Sequence, residues 1–168
     1  MLVEWELPDA NLPSTGKLID LVMLVVTGGK ERTIEYLIAR KYTSPEHLAI
    51  VGASNGGLLM GAAVTQRPDL FHAVGFTAGI YDMLRVELDP NGEFNVTEFG
   101  TVKDLNQFQA LYAYSPYHHA KDGTPYPGIL FFTGENDHRV DPMQSRKMMA
   151  RLQAANTYAP GTGGFFAS

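Results

Sequence analysis

Cysteine is absent from this chain of 168 residues, which excludes disulfide staples, thiolate nucleophiles and cysteine-ligated metal sites. Tryptophan occurs once, at Trp5. The apolar run Leu18–Val26 is short and interrupted by Asp20, so it does not cross a bilayer as a helix. Charged residues are only 18% of the chain, with a net charge of −5, which argues against nucleic acid or an anionic membrane as partner. Met1–Glu6 is acidic and lacks the basic, apolar, small-residue order of a signal peptide. A cytoplasmic protein is expected. His118 and His119 have no carboxylates at ligand spacing, and adjacent imidazoles seldom chelate one ion, so neither a metal nor another cofactor is expected.

What is present suits one globular domain spanning 1–168, since hydrophobic residues make up 45% of the chain. Met1–Gly16 holds Pro8, Asn11 and Pro13 and reads as an irregular lead-in, followed by a strand over Leu18–Val26. Ile34, Leu37 and Ile38 share one face of a short helix ending near Ala39. Leu48–Val51, Ala73–Thr77 and Pro127–Phe132 read as core strands. Helices are expected over Gly57–Val64, Gln107–Tyr114 and Pro142–Ala155, the last with proline in its first turn. Asp89-Pro90-Asn91-Gly92 opens a polar excursion to about Gly100, and Thr157–Ser168 is glycine-rich without periodicity. Tyr112, Tyr114, Tyr117, Phe131 and Phe132 are expected in the core and pocket walls. Strands alternating with helices predict an α/β fold, a mostly parallel sheet covered on both faces.

Gly52-Ala53-Ser54-Asn55-Gly56 lies between the first core strand and a helix. G-x-S-x-G in that setting is a nucleophile elbow, where small residues let the backbone turn sharply and push the serine oxygen outward. The first helical N–H groups then face the place where an oxyanion would form. Thr133-Gly134-Glu135-Asn136-Asp137 follows the third core strand. Parallel sheets concentrate their chemistry at the C-terminal ends of the strands. Ser54 and Asp137 both fall at that edge.

Several words from Ile34 to Ala155 occur together: Tyr42-Thr43-Ser44-Pro45, Gly52–Leu59, Gln66-Arg67-Pro68-Asp69-Leu70-Phe71, Asp82-Met83-Leu84, Tyr114-Ser115-Pro116 and Asp137-His138-Arg139-Val140. In this order they resemble the catalytic domain of the prolyl oligopeptidase family, serine peptidases of α/β-hydrolase fold. The resemblance implies Ser54 as nucleophile, Asp137 as triad acid and the Asn55 backbone N–H as oxyanion donor. It implies a substrate-binding Arg139 and a pocket walled by Val140 and Ile80. The pocket's tryptophan and tyrosine positions fall at or near Asn95 and at Phe99, which weakens a strict preference for proline. The bland readings stand beside these: Asp137 could cap its own loop, Arg139 could pair with Asp141 or Glu135, and Asp82 could brace a turn.

In the family the catalytic histidine lies well beyond the acid, in a Gly-His-Gly-type loop. Here the only histidine after Asp137 is the adjacent His138. The resemblance therefore implies a truncated, partial α/β-hydrolase, with a family-like core over 34–155 and atypical ends at 1–30 and 157–168. By the same resemblance the early strands, second oxyanion donor and β-propeller are expected to be missing. His138 is a candidate base, with His118 and His119 as alternatives; His47 and His72 fall at the far edge of the sheet. Two functions follow: a weak hydrolase of small short-chain esters or peptides, or an impaired, non-catalytic remnant. Missing strands would leave apolar surface uncovered, so a homo-oligomer is expected.

Overall fold

A computed structural model describes residues 31–157 and 165–167, with side chains from Ile34 to Thr157. The expected lead-in and the Leu18–Val26 strand lie outside the described residues. Helix α1 (Glu31–Ala39) buries Ile34 and Leu37, and the chain leaves it through Lys41 at φ 62°. Strand β1 (Ala49–Ala53) runs into α2 (Asn55–Gln66), and β2 (Ala73–Thr77) follows. A long excursion carries α3 (Gly92–Phe99), α4 (Leu105–Tyr114) and α5 (Pro116–His119) before β3 (Gly128–Phe132). Helix α6 (Pro142–Ala155) leads to a short β4 (Phe165–Ala167).

All strands are parallel, in the order β1-β2-β3-β4. Each connection steps to the next strand in the same direction. Right-handed crossovers then put every connecting helix on one face of the sheet. Ile50, Val74, Phe76, Ile129 and Phe131 project into that face and form one core with Ile34, Met60, Val64, Met148 and Leu152. Phe76, Tyr81 and Phe131 pack as an aromatic trio with centroids 4.8 to 5.8 Å apart.

The described helices pack on one face of the sheet, where cover on both was expected; the opposite face carries exposed side chains. There Val51 is 46% exposed and Phe132 44% exposed. The register puts Val51, Gly75 and Leu130 in one row and Ala53, Thr77 and Phe132 in the next. A doubly wound sheet needs a reversal in strand order, and none occurs among the described strands. Phe132 and Tyr112 are therefore surface residues, whereas Phe131 is core.

Three further expectations change. The polar excursion contains a helix, α3, closed by Gly100 at φ 98°, whose N–H returns to the Val96 carbonyl. The aperiodic tail contributes β4, paired with Ile129–Phe131. Its few residues gain strand conformation from the free edge of β3 rather than from any pattern of their own. Helix α4 begins earlier than its apolar pattern because Asp104 caps it, accepting the Gln107 N–H at 2.9 Å.

Candidate active site

The junction of β1 and α2 has the geometry that small residues were expected to permit. Ser54 sits at φ 53°, ψ −119°, a conformation that costs a non-glycine residue on the order of 1–3 kcal/mol. Its N–H still donates to the Thr77 carbonyl, while its own carbonyl already accepts from Gly57 at 2.9 Å and Leu58 at 3.2 Å. A Cβ on Gly52 would lie 2.2 Å from the Gly56 carbonyl oxygen, so the turn closes only over glycine. Gly57 and Gly79 make a second close approach, where a Cβ on Gly57 would meet the Gly79 Cα at 2.6 Å. Ser54 is half-buried and Asn55 exposed. The backbone N–H groups of Asn55 and Gly56, in the first turn of α2, have no intrahelical acceptor, while the Asn55 side-chain Nδ2 donates to Glu98 Oε1 at 3.1 Å.

Asp137 stands two strands away on the same sheet edge. Thr77 pairs with both Ala53 and Phe132 in register, which separates β1 from β3 by about 10 Å. The loop after β3 folds back on itself: Asp137 N–H donates to Gly134, and Asp137 Oδ1 accepts from Arg139 N–H at 2.8 Å and Val140 N–H at 3.1 Å. The Val140 bond and then the Arg139 bond hold the carboxyl below the usual aspartate range. Asp137 is therefore ionised at neutral pH. Val140 is buried in a second apolar cluster with Leu58, Ile80 and Met83. Because Leu58 belongs to α2, that cluster joins the acid loop to the elbow helix.

The histidines divide sharply. His118 Nδ1 meets Ser115 Oγ at 2.9 Å, and its Nε2 faces Asp82 Oδ1 at 3.8 Å. His119 Nδ1 is 2.9 Å from the Ser115 carbonyl, which makes Nδ1 its proton donor. His47 pairs with Ser44 before β1, and His72 opens β2, both at the opposite edge from Ser54. His138 is exposed and adjoins Asp137. Among the described residues no side chain is hydrogen-bonded to Ser54 Oγ.

Asp82 is 1% exposed and brings together Lys147, Arg85 and His118. Burial pushes its carboxyl up, but Lys147 and then Arg85 outweigh burial and hold it below the usual range. The expected pocket residues are only partly assembled. Ile80 and Val140 share the second cluster, and Phe99 packs against it. Asn95 is buried with its amide donating to the Val86 carbonyl at 3.3 Å. Arg139 is exposed and makes no ion pair among the described residues. Sequence reasoning missed Gln144 and Lys147, whose only signal was polarity on a helix face that packs inward.

Among the described residues no group of three or more histidine and carboxylate side chains could hold a metal ion, and no helix is long and apolar enough to cross a membrane. The model of the prolyl oligopeptidase family matches residues 32–160. The prolyl endopeptidase of Dictyostelium discoideum is 45% identical over 71% of this chain, and that of Elizabethkingia meningoseptica 43% identical over 71%. The matched part is 16% of the first relative and 17% of the second, so the chain spans less than a fifth of either. Among solved structures, a prolyl endopeptidase studied for inter-domain dynamics superposes with a TM-score of 0.75 at 43% identity, over 81% of this chain and 20% of that one. Oligopeptidase B from Leishmania major superposes with a TM-score of 0.75 at 28% identity, over 81% of this chain and 19% of that one.

Proposed function

This chain belongs to the prolyl oligopeptidase family of serine hydrolases, and on that premise we propose that it is itself a serine hydrolase with Ser54 as nucleophile. The observation that carries the proposal is the left-handed backbone of Ser54 at a strand-to-helix junction. A strained non-glycine residue in that place presents its side chain outward, beside the free N–H groups of α2. In this reading Ser54 Oγ attacks an acyl carbon and the Asn55 N–H stabilises the oxyanion. His138, oriented by Asp137, takes the serine proton and returns it to the leaving group. Arg139, Ile80, Val140, Asn95 and Phe99 would contact the substrate or shape its pocket. Small short-chain esters suit the site better than peptides, because an alkoxide leaving group needs less protonation than an amine. The protein would work in the cytoplasm.

A second reading is a catalytically impaired fragment. It is favoured by the absence, among the described residues, of any side chain hydrogen-bonded to Ser54 Oγ, since a serine hydroxyl without a base is a weak nucleophile. Reaction with a fluorophosphonate probe and turnover of p-nitrophenyl acetate separate the two. A hydrolase labels at Ser54, and Ser54→Ala abolishes both signals. Turnover unchanged in Ser54→Ala overturns the proposal.

A further inference from the structure

Gln144 is a polar residue where an apolar one would be expected. It lies in the first turn of α6, on the face that buries Met148 and Leu152, and is 3% exposed. Each of its polar groups is used. Oε1 accepts the Tyr81 N–H at 3.0 Å and the Asp82 N–H at 2.8 Å, and Nε2 donates to Asp89 Oδ2 at 2.8 Å. The two accepted bonds also fix which end of the amide is oxygen, because an NH2 group cannot receive an N–H.

These partners join α6 to the chain segment that follows β2. That segment begins beyond Thr77, whose carbonyl holds the Ser54 N–H. From Gln144 the chain runs back through a short, tightly tied stretch to Asp137. Gln144 N–H donates to the Asp141 carbonyl, and Asp141 Oδ1 caps Met143. Val140 packs beside Ile80, the residue before Tyr81. Asp137 Oδ1 then receives the N–H groups of Arg139 and Val140. The acid loop is thus anchored twice to the edge that carries Ser54, once by Val140 and once by the Gln144 amide.

We propose that Gln144 is a positioning residue for Asp137, fixing the height of the acid loop over the sheet edge through the backbone of Tyr81 and Asp82. A methionine or leucine would fill the same space but would leave two buried N–H groups and the Asp89 carboxylate without their partner. The role of the loop in catalysis rests on the function proposed above; its placement by Gln144 does not.

Amide hydrogen exchange on the full chain tests the placement without reference to activity. Gln144→Ala should speed exchange of the Arg139 and Val140 amides at least about tenfold, one tenfold step being 1.4 kcal/mol, while the amides of β1 and β2 keep their protection. Gln144→Glu alone should behave similarly, because it sets a carboxylate against Asp89. Combining Gln144→Glu with Asp89→Asn reverses donor and acceptor and should restore slow exchange at both amides. Fluorophosphonate labelling of Ser54 should fall and recover in parallel. Unchanged Arg139 and Val140 exchange in Gln144→Ala overturns the proposal, as does loosening that spreads equally to β1 and β2 or a double variant that rescues neither amide. If Gln144→Ala does not fold, the comparison of Gln144→Glu with the double variant decides. Amides that respond as expected in a protein whose Ser54 never labels would sink the hydrolase reading and leave the placement standing.

Discussion

The Ser54 N–H donates to the Thr77 carbonyl at 3.0 Å, so the residue that turns the chain is still held in the β1–β2 ladder. The left-handed conformation is thereby fixed on rigid backbone, and the turn depends on what surrounds it.

Two substitutions at this turn should act in opposite directions. Gly52→Ala places a Cβ 2.2 Å from a backbone oxygen, and should cost about 2 kcal/mol of stability with loss of Ser54 labelling. Ser54→Gly removes the side-chain penalty at φ 53° and should add about 1 kcal/mol. Urea midpoints measure both. A destabilised Ser54→Gly would show that the elbow stores no strain.

Replacing the histidines singly should identify the base. His138→Gln should lower ester turnover by about a hundredfold. His118→Gln and His119→Gln should leave turnover within about twofold of wild type, because their rings are engaged with Ser115. Circular dichroism must first show that each variant is folded. Ester turnover by His138→Gln equal to wild type would remove His138 from the mechanism.

The pH dependence of stability should carry the signature of His118. Burial pushes its imidazole below the ordinary 6.5; Arg85, Lys147 and His119 act in the same direction, and Asp82 opposes them. The folded chain therefore binds this proton more weakly than the unfolded chain. Stability should fall as pH drops below about 6.5 and level off below the folded value. Asp82 acts in the same direction at lower pH: its contribution is present above the unfolded value of 3.8 and is lost as pH falls below it. The two windows do not coincide. Urea midpoints between about pH 7.5 and 5.5 should slope in wild type and flatten in His118→Gln. Equal slopes would remove the assignment.

The open face of the sheet should drive self-association. Val51 and Phe132 lie on that face beside Leu130 and Gly75, an apolar surface over which no helix packs among the described residues. Light scattering at micromolar concentration should report a dimer or larger species, and Val51→Glu with Phe132→Glu should return it to monomer. A monodisperse wild-type monomer of 18.4 kDa would overturn the expectation.

The parallel core was readable because Leu48–Val51, Ala73–Thr77 and Pro127–Phe132 are apolar runs with turn residues at their ends. The elbow was readable because its glycines have one steric purpose. Helix α3 was not, because its buried residues are Gly92 and Asn95, neither of which marks an apolar face. That the described helices share one face of the sheet was also hidden. Strand order decides it, and strand order depends on long-range pairing rather than local pattern. Gln144 escaped for a similar reason: its side-chain partners lie 55 to 63 residues away in sequence.

The unreversed strand order also bears on how the chain reaches this structure. Strands β1 and β2 are joined through one helix, so their pairing closes a short loop and can form early. Strand β3 must wait until the entire excursion from Ala78 to Pro127 has been spanned, and each doubling of that span adds about 0.6 kcal/mol of closure entropy. The β1–α2–β2 unit, with the strained serine at its centre, is therefore the natural nucleus. Asp137, carried beyond β3, arrives with the late half of the folding reaction. A folding intermediate would thus carry the elbow before its acid, and Ser54 would be in place while the opposite end of the site was still unformed.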